Sequence, residues 1–116
     1  LVPWSPIARG ILARPWTERS TKSEHTDGFL HRLLRSRETE ADKAIVDRVQ
    51  ELASKKGVSM AQVAIAWTLS KGVCPILGLS KKERINEAID ALQVKLSEEE
   101  TQYLEAPYVP KSVCGY

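Results

Sequence analysis

Two short apolar stretches, Leu1-Val2-Pro3 running into Trp4 and Val73-Cys74-Pro75-Ile76-Leu77, lie far apart in the chain, and each ends on a turn built from glycine, proline or serine. The second is continuously apolar between Gly72 and Gly78, as expected of a strand buried on both faces. Pro75 argues against a fully paired position there unless it lies near a strand end, because proline contributes no ladder N–H. A long loop and two helical patterns lie between the two stretches, a crossover of well over a dozen residues, and such a connection joins parallel strands. Two parallel strands cannot close a barrel or fill a sheet. The pattern therefore predicts an α/β unit that is incomplete as it stands, with further strands expected upstream. A first residue that is Leu, inside a β-prone run, fits the same expectation.

After the first strand, Trp4-Ser5-Pro6-Ile7-Ala8-Arg9-Gly10 reads as a strand running into a loop, with two prolines around a serine and a closing glycine. Arg14 to about Arg37 reads as a long loop with one short helical piece around Phe29, Leu30, Leu33 and Leu34, and loops of that length commonly cover a site. From about Glu38 to Lys56, Ala41, Ile45, Val49, Leu52 and Ala53 recur at helical spacing, with Gly57 placed for a left-handed cap. Ser59 with Gln62 is a capping box for an alanine-rich helix carrying Val63, Ala64, Trp67 and Leu69 and ending before Gly72. Ser80 with Glu83 predicts the next helix, with Ile85, Ala88, Ile89 and Leu92 as its buried stripe, and Ser97 with Glu100 opens a last one that stops before Pro107.

Composition narrows the function classes. Seventeen Lys plus Arg against 15 Asp plus Glu leave a net charge of +2, spread along the chain, which gives little support to nucleic acid as a partner. No apolar run approaches the roughly 20 residues needed to span a bilayer, and the opening lacks the pattern of a signal peptide. Cys74 and Cys114 form no CxxC pair and have no neighbouring histidine, so they read as free thiols in a cytoplasmic setting, and no metal site is expected.

Gly78-Leu79-Ser80-Lys81-Lys82-Glu83-Arg84 joins the second strand to a helix N-terminus, where unpaired backbone N–H groups and the helix dipole favour an anion. Arg84 can engage phosphate oxygens bidentately, and Lys81 can add a movable point charge. The competing reading is that Ser80 only caps the helix while the cations are solvated. Trp4, ending the first strand, can lay its ring on a flat heteroaromatic group or serve as a core or lid residue. In (β/α)8 enzymes phosphate sites recur after the last two strands, which favours the phosphate reading.

Val2-Pro3-Trp4-Ser5-Pro6-Ile7-Ala8-Arg9-Gly10 resembles the seventh-strand signature of aldo-keto reductases, and Pro75-Ile76-Leu77-Gly78-Leu79-Ser80 with Arg84, Ile85 and Glu87 resembles their eighth-strand cofactor signature. Arg14-Pro15-Trp16 and the ending Glu105-Ala106-Pro107-Tyr108 resemble the microbial and fungal branch that includes aryl-alcohol dehydrogenase-like members. Residues 1–116 as a whole are thus similar to the C-terminal portion of a (β/α)8 barrel, forming part of an NADP-dependent oxidoreductase domain. The resemblance implies that Trp4 stacks on the nicotinamide, while Ser5, Ile7, Arg9 and Gly10 line the pyrophosphate. It implies that Ser80 and Arg84 hold the 2′-phosphate, that the Gly78 turn admits it, and that Glu87 lies beside the adenine. Ala88 stands where relatives often have Asn, which removes one adenine hydrogen bond. Lys81 is added on local chemistry alone.

The family reaction passes hydride to an aldehyde or ketone, with a tyrosine as proton donor tuned by lysine and aspartate, and a histidine orienting the substrate oxygen. The resemblance places all four upstream of this segment. Tyr103, Tyr108 and Tyr116 are therefore read as packing residues, His25 and His31 as loop surface, and no catalytic residue is assigned. The expectation is a cofactor-binding end, inactive alone, of a reductase of small-molecule carbonyls. The alternative is a non-catalytic NADP-binding or subunit-interaction fragment. A plain helical interaction module leaves the turns after both strands unexplained.

Overall fold

A computed structural model describes residues 1–18, Gly28 and 37–112. The two expected strands lie side by side and parallel, but only as a single bridge between Trp4 and Ile76. The Cys74 N–H donates to the Leu1 carbonyl at 3.3 Å and the Ile76 N–H to the Pro3 carbonyl at 2.8 Å. Alternation along a strand then turns the missing N–H of Pro75 to the opposite edge, where it breaks no bond to this neighbour. No extended strand forms among the described residues, since each segment has only one partner.

The reading of residues 73–77 as buried on both faces is corrected. Ile76 is 56% exposed and Cys74 is exposed, while Val73, Pro75 and Leu77 are half-buried. The same alternation holds opposite: Val2 and Trp4 are exposed, Pro3 and Ser5 half-buried. One face of the pair packs on helices, and the other, bearing Val2, Trp4, Cys74 and Ile76, is bare.

Helix α1 spans Glu40–Lys56, and its start lies slightly inside the expected boundary because Thr39 caps it. Thr39 Oγ1 accepts from the Asp42 N–H and the Asp42 carboxylate accepts from the Thr39 N–H, a capping box closed by Asp in place of the usual Glu or Gln. Gly57 ends the helix at φ 66°, ψ 33°, as expected. Helix α2, Met60–Ser70, opens on the Ser59–Gln62 box, and its alanines at 61, 64 and 66 are buried. Helix α3, Lys82–Asp90, continues into a short 3-10 turn at Ala91–Gln93, and α4, Glu98–Glu105, has the expected Ser97–Glu100 box.

The principal core lies among α1, α2 and α4: Val46, Val49, Leu52, Ala53, Met60, Val63 and Leu104 are buried together. Val46, absent from the expected stripe, is among the most buried of them. A smaller cluster of Ile65, Ala88 and Ala91, with Ile7, Leu69 and Leu77 packed on it, joins α2 and α3 to the paired segments. The predicted stripe of α3 is corrected: Ala88 is buried, but Ile85, Ile89 and Leu92 are exposed, because of these four only Ala88 joins the cluster with Ile65 and Ala91.

Candidate functional site

A 3-10 helix at Ala8–Ala13 follows the first paired segment. The turn into it is strained: Ser5, Ala8 and Arg9 have φ of 57°, 48° and 55°, and Gly10 has φ 100°. Left-handed backbone at three non-glycine residues is costly, and such strain collects where a chain must present its backbone to a ligand. The Ala8 N–H donates to the Ser5 carbonyl at 2.9 Å, the Arg9 N–H to Ser5 Oγ at 3.1 Å, and the Gly10 N–H to the Ile7 carbonyl at 3.0 Å. At φ 100°, position 10 suits glycine alone.

This turn faces the start of α3 across a cleft of about 630 Å³, within the size range of small-molecule and cofactor sites. Trp4, Ser5, Ile7, Arg9 and Gly10 line one side of it, and Gly78, Arg84 and Glu87 the other. Residues from the start of the chain and from Gly78 into α3 thus share one cavity. Trp4 is 61% exposed. A Cβ at Gly78 would meet nothing within 4 Å, so no neighbour in the described residues requires a glycine there.

Two of the expected residues stand apart. Lys81 lines an adjoining cleft together with Arg84 and Glu87, and Ser80 lines neither. The Ser80–Glu83 capping box is not formed: Lys81 is the N-cap of α3, without a side-chain hydrogen bond, and the helix starts at Lys82. The extended backbone of Lys81 delays the helix by one residue, which carries Ser80 out of capping register. Ser80 therefore does not cap the helix, while Lys81 and Arg84 are both exposed. Arg14, placed only in a loop by the sequence, is half-buried and lines both clefts with Arg84. Its signal was a cation shortly after the glycine that closes the turn.

Glu87 is half-buried, and its Oε1 accepts from Ser59 Oγ at 2.5 Å. Away from the cleft, hydrogen bonds hold the Asp42 and Glu105 carboxylates below their ordinary range. Burial pushes Asp42 up, but hydrogen bonds from Lys111 and the Thr39 N–H outweigh it. Hydrogen bonds from Lys71 and Trp67 hold Glu105 down. Tyr103 donates to Glu51 at 2.5 Å, and this bond raises its phenol above the ordinary value, a poor setting for a proton donor. Arg48 lies 4.4 Å from the Tyr103 ring centre, but Tyr103 and Tyr108 are both exposed, so the reading of these two tyrosines as packing residues is corrected: each lies on the surface of α4 or just beyond it. His25, His31, Cys114 and Tyr116 lie outside the described residues. Among the described residues no group of three potential ligands gathers for a metal, and no helix is long and apolar enough to cross a membrane.

Parallel segments packed on helices, with a cleft at their shared end, define a part of an α/β architecture. Residues 1–108 match the profile of the Aldo/keto reductase family, and the chain belongs to that family of oxidoreductases, whose fold is a (β/α)8 barrel. It is 63% identical over 114 residues to the versiconal hemiacetal acetate reductase of Aspergillus parasiticus, covering 97% of this chain and 33% of that protein. Proteins of Schizosaccharomyces pombe and Saccharomyces cerevisiae, each named a "putative aryl-alcohol dehydrogenase", are 48% and 50% identical, covering 99% and 96% of this chain and 32% of each relative. The fungal, aryl-alcohol dehydrogenase-like branch expected from the sequence is the one found. The chain spans about a third of the length of these relatives.

Proposed function

We propose that this chain is the cofactor-holding end, the last two strands with their helices, of an NADP(H)-dependent reductase that converts small aldehydes or ketones to alcohols. The observation that carries the reading is the single cleft joining the strained Trp4–Gly10 turn to Gly78, Arg84 and Glu87. A dinucleotide fits its chemistry: an exposed indole for the nicotinamide, a backbone turn at Ser5, Ile7, Arg9 and Gly10 for the pyrophosphate, and Arg84 for the 2′-phosphate. Arg14 adds a second guanidinium beside Arg84. Lys81, on the adjoining cleft beside Arg84, adds charge for the same phosphate, and Glu87 meets the adenine.

When bound, the cofactor supplies the hydride. The residues of this chain bind and orient it, and the proton donor comes from a part of the protein outside these 116 residues. The names of the relatives, a hemiacetal acetate reductase and aryl-alcohol dehydrogenases, support a carbonyl–alcohol substrate pair. A cytoplasmic setting suits the free, exposed Cys74 thiol. Fluorescence titration of the complete gene product with NADPH tests the reading, and absence of saturable binding defeats it. Binding without turnover of any aldehyde or ketone would instead favour a nucleotide-binding piece that has lost the chemistry.

A further inference from the structure

The cap of α2 reaches across to the cleft. Ser59 Oγ accepts the Gln62 N–H at 3.1 Å, and the hydroxyl proton is then donated to Oε1 of Glu87 at 2.5 Å. Gln62 closes the box by accepting the Ser59 N–H on its Oε1 at 3.0 Å, and its Nε2 donates to the main-chain oxygen of Glu87 at 3.1 Å. Two residues of one helix cap therefore hold the side chain and the backbone of a residue 25 or more positions away, in part-buried surroundings. A glutamate at position 62 would make the box equally well. It could not donate to a carbonyl, and it would set a second carboxylate beside Glu87. The need for an amide at 62 thus comes from Glu87 and not from the helix. The bond from Ser59 is charge-assisted, and it leaves Oε2 of Glu87 uncommitted among the described residues.

We infer that Ser59 and Gln62 are positioning residues of the nucleotide cleft, fixing Glu87 and with it the wall that receives the adenosine end. This rests on the NADP(H) reading above. The test uses the complete gene product and two substitutions that keep the helix cap: Ser59→Asp, since Asp caps as well as Ser, and Gln62→Glu. Each opposes Glu87 with a carboxylate, and Ser59→Thr serves as the conservative control. Calorimetry with NADPH and with 2′,5′-ADP reads the whole cofactor and its adenosine half. Both ligands should weaken by the same factor, on the order of 10-fold, in S59D and Q62E. The melting midpoint should fall by a few degrees in S59D and Q62E, the cost of one like-charge contact, and S59T should both melt and bind as the parent does.

Unchanged affinity in S59D and Q62E overturns the inference, as does a loss seen with NADPH but not with 2′,5′-ADP. Loss of affinity only in proportion to a lowered melting midpoint also overturns it, since that is the mark of a merely structural cap. A parent protein that binds neither ligand overturns the nucleotide reading and this inference together. A parent that binds both while the variants are unaffected overturns this inference alone.

Discussion

Arg84 and Trp4 carry the two ends of the proposed cofactor, and they differ in what their removal should do. A guanidinium that reads a 2′-phosphate contributes to NADPH and nothing to NADH, because NADH lacks that group. Arg84→Ala in the complete gene product should therefore weaken NADPH by roughly 10- to 100-fold, the range of a lost charge-assisted pair, and leave NADH nearly as before. Equal losses for both would show that Arg84 serves something other than the 2′-phosphate. The nearby Arg14 softens the loss, since it lines the same clefts. Gly57 offers a residue-scale test of the fold alone. Its φ of 66° is left-handed, and a Cβ there would meet nothing within 4 Å. Gly57→Ala thus carries only a conformational cost of about 1–2 kcal/mol, measurable as a lowered denaturant midpoint with nucleotide affinity unchanged.

At the scale of elements, the helices owe their ends to local chemistry that titrates. Asp42 completes the α1 cap and pairs with Lys111, and despite the opposing effect of burial its carboxyl sits below the ordinary 3.8. A pKa lower in the folded than in the unfolded chain means that the unfolded state takes up the proton first. The stability so contributed is fully present above 3.8 and is lost as the pH falls through the folded value. Glu105, held below 4.5 by Lys71 and Trp67, acts in the same direction. Denaturant midpoints should fall between neutral pH and about pH 3, and Asp42→Asn should flatten the lower part of that profile. Helix caps were the most legible part of the sequence because a cap is a contact across a few residues. Ser59–Gln62 and Ser97–Glu100 formed as read, while Thr39–Asp42 departed from the usual residue pattern and Ser80–Glu83 did not form, the helix starting without a side-chain cap. What the caps do at a distance, such as Ser59 holding Glu87, depends on how α2 meets α3 and leaves no local trace. The same holds for Ile85, Ile89 and Leu92, whose helical spacing was plain but whose partner face was not.

The whole molecule is shaped by the bare side of its two paired segments. Trp4 and Ile76 are opposite one another, so strand alternation sets Val2 and Cys74 on the same face, and all four are exposed. An apolar face of this kind is stable only when covered. Were the paired segments the last two strands of a barrel, as proposed, alternate residues would point to its interior and this is the face that would be closed. Cys74 reports on that directly, because a thiol reacts at a rate set by access as well as by ionisation. In a Cys114→Ser background, Cys74 of the 116-residue chain should react with a disulfide reagent at the rate of an exposed thiol. In the complete gene product the same thiol should be protected until denaturant is added, while the sites on the cleft rim remain accessible to nucleotide. Equal reactivity in the two forms would mean that the Val2–Cys74 face does not look inward, and the barrel arrangement proposed for this chain would have to be given up even if NADPH still bound.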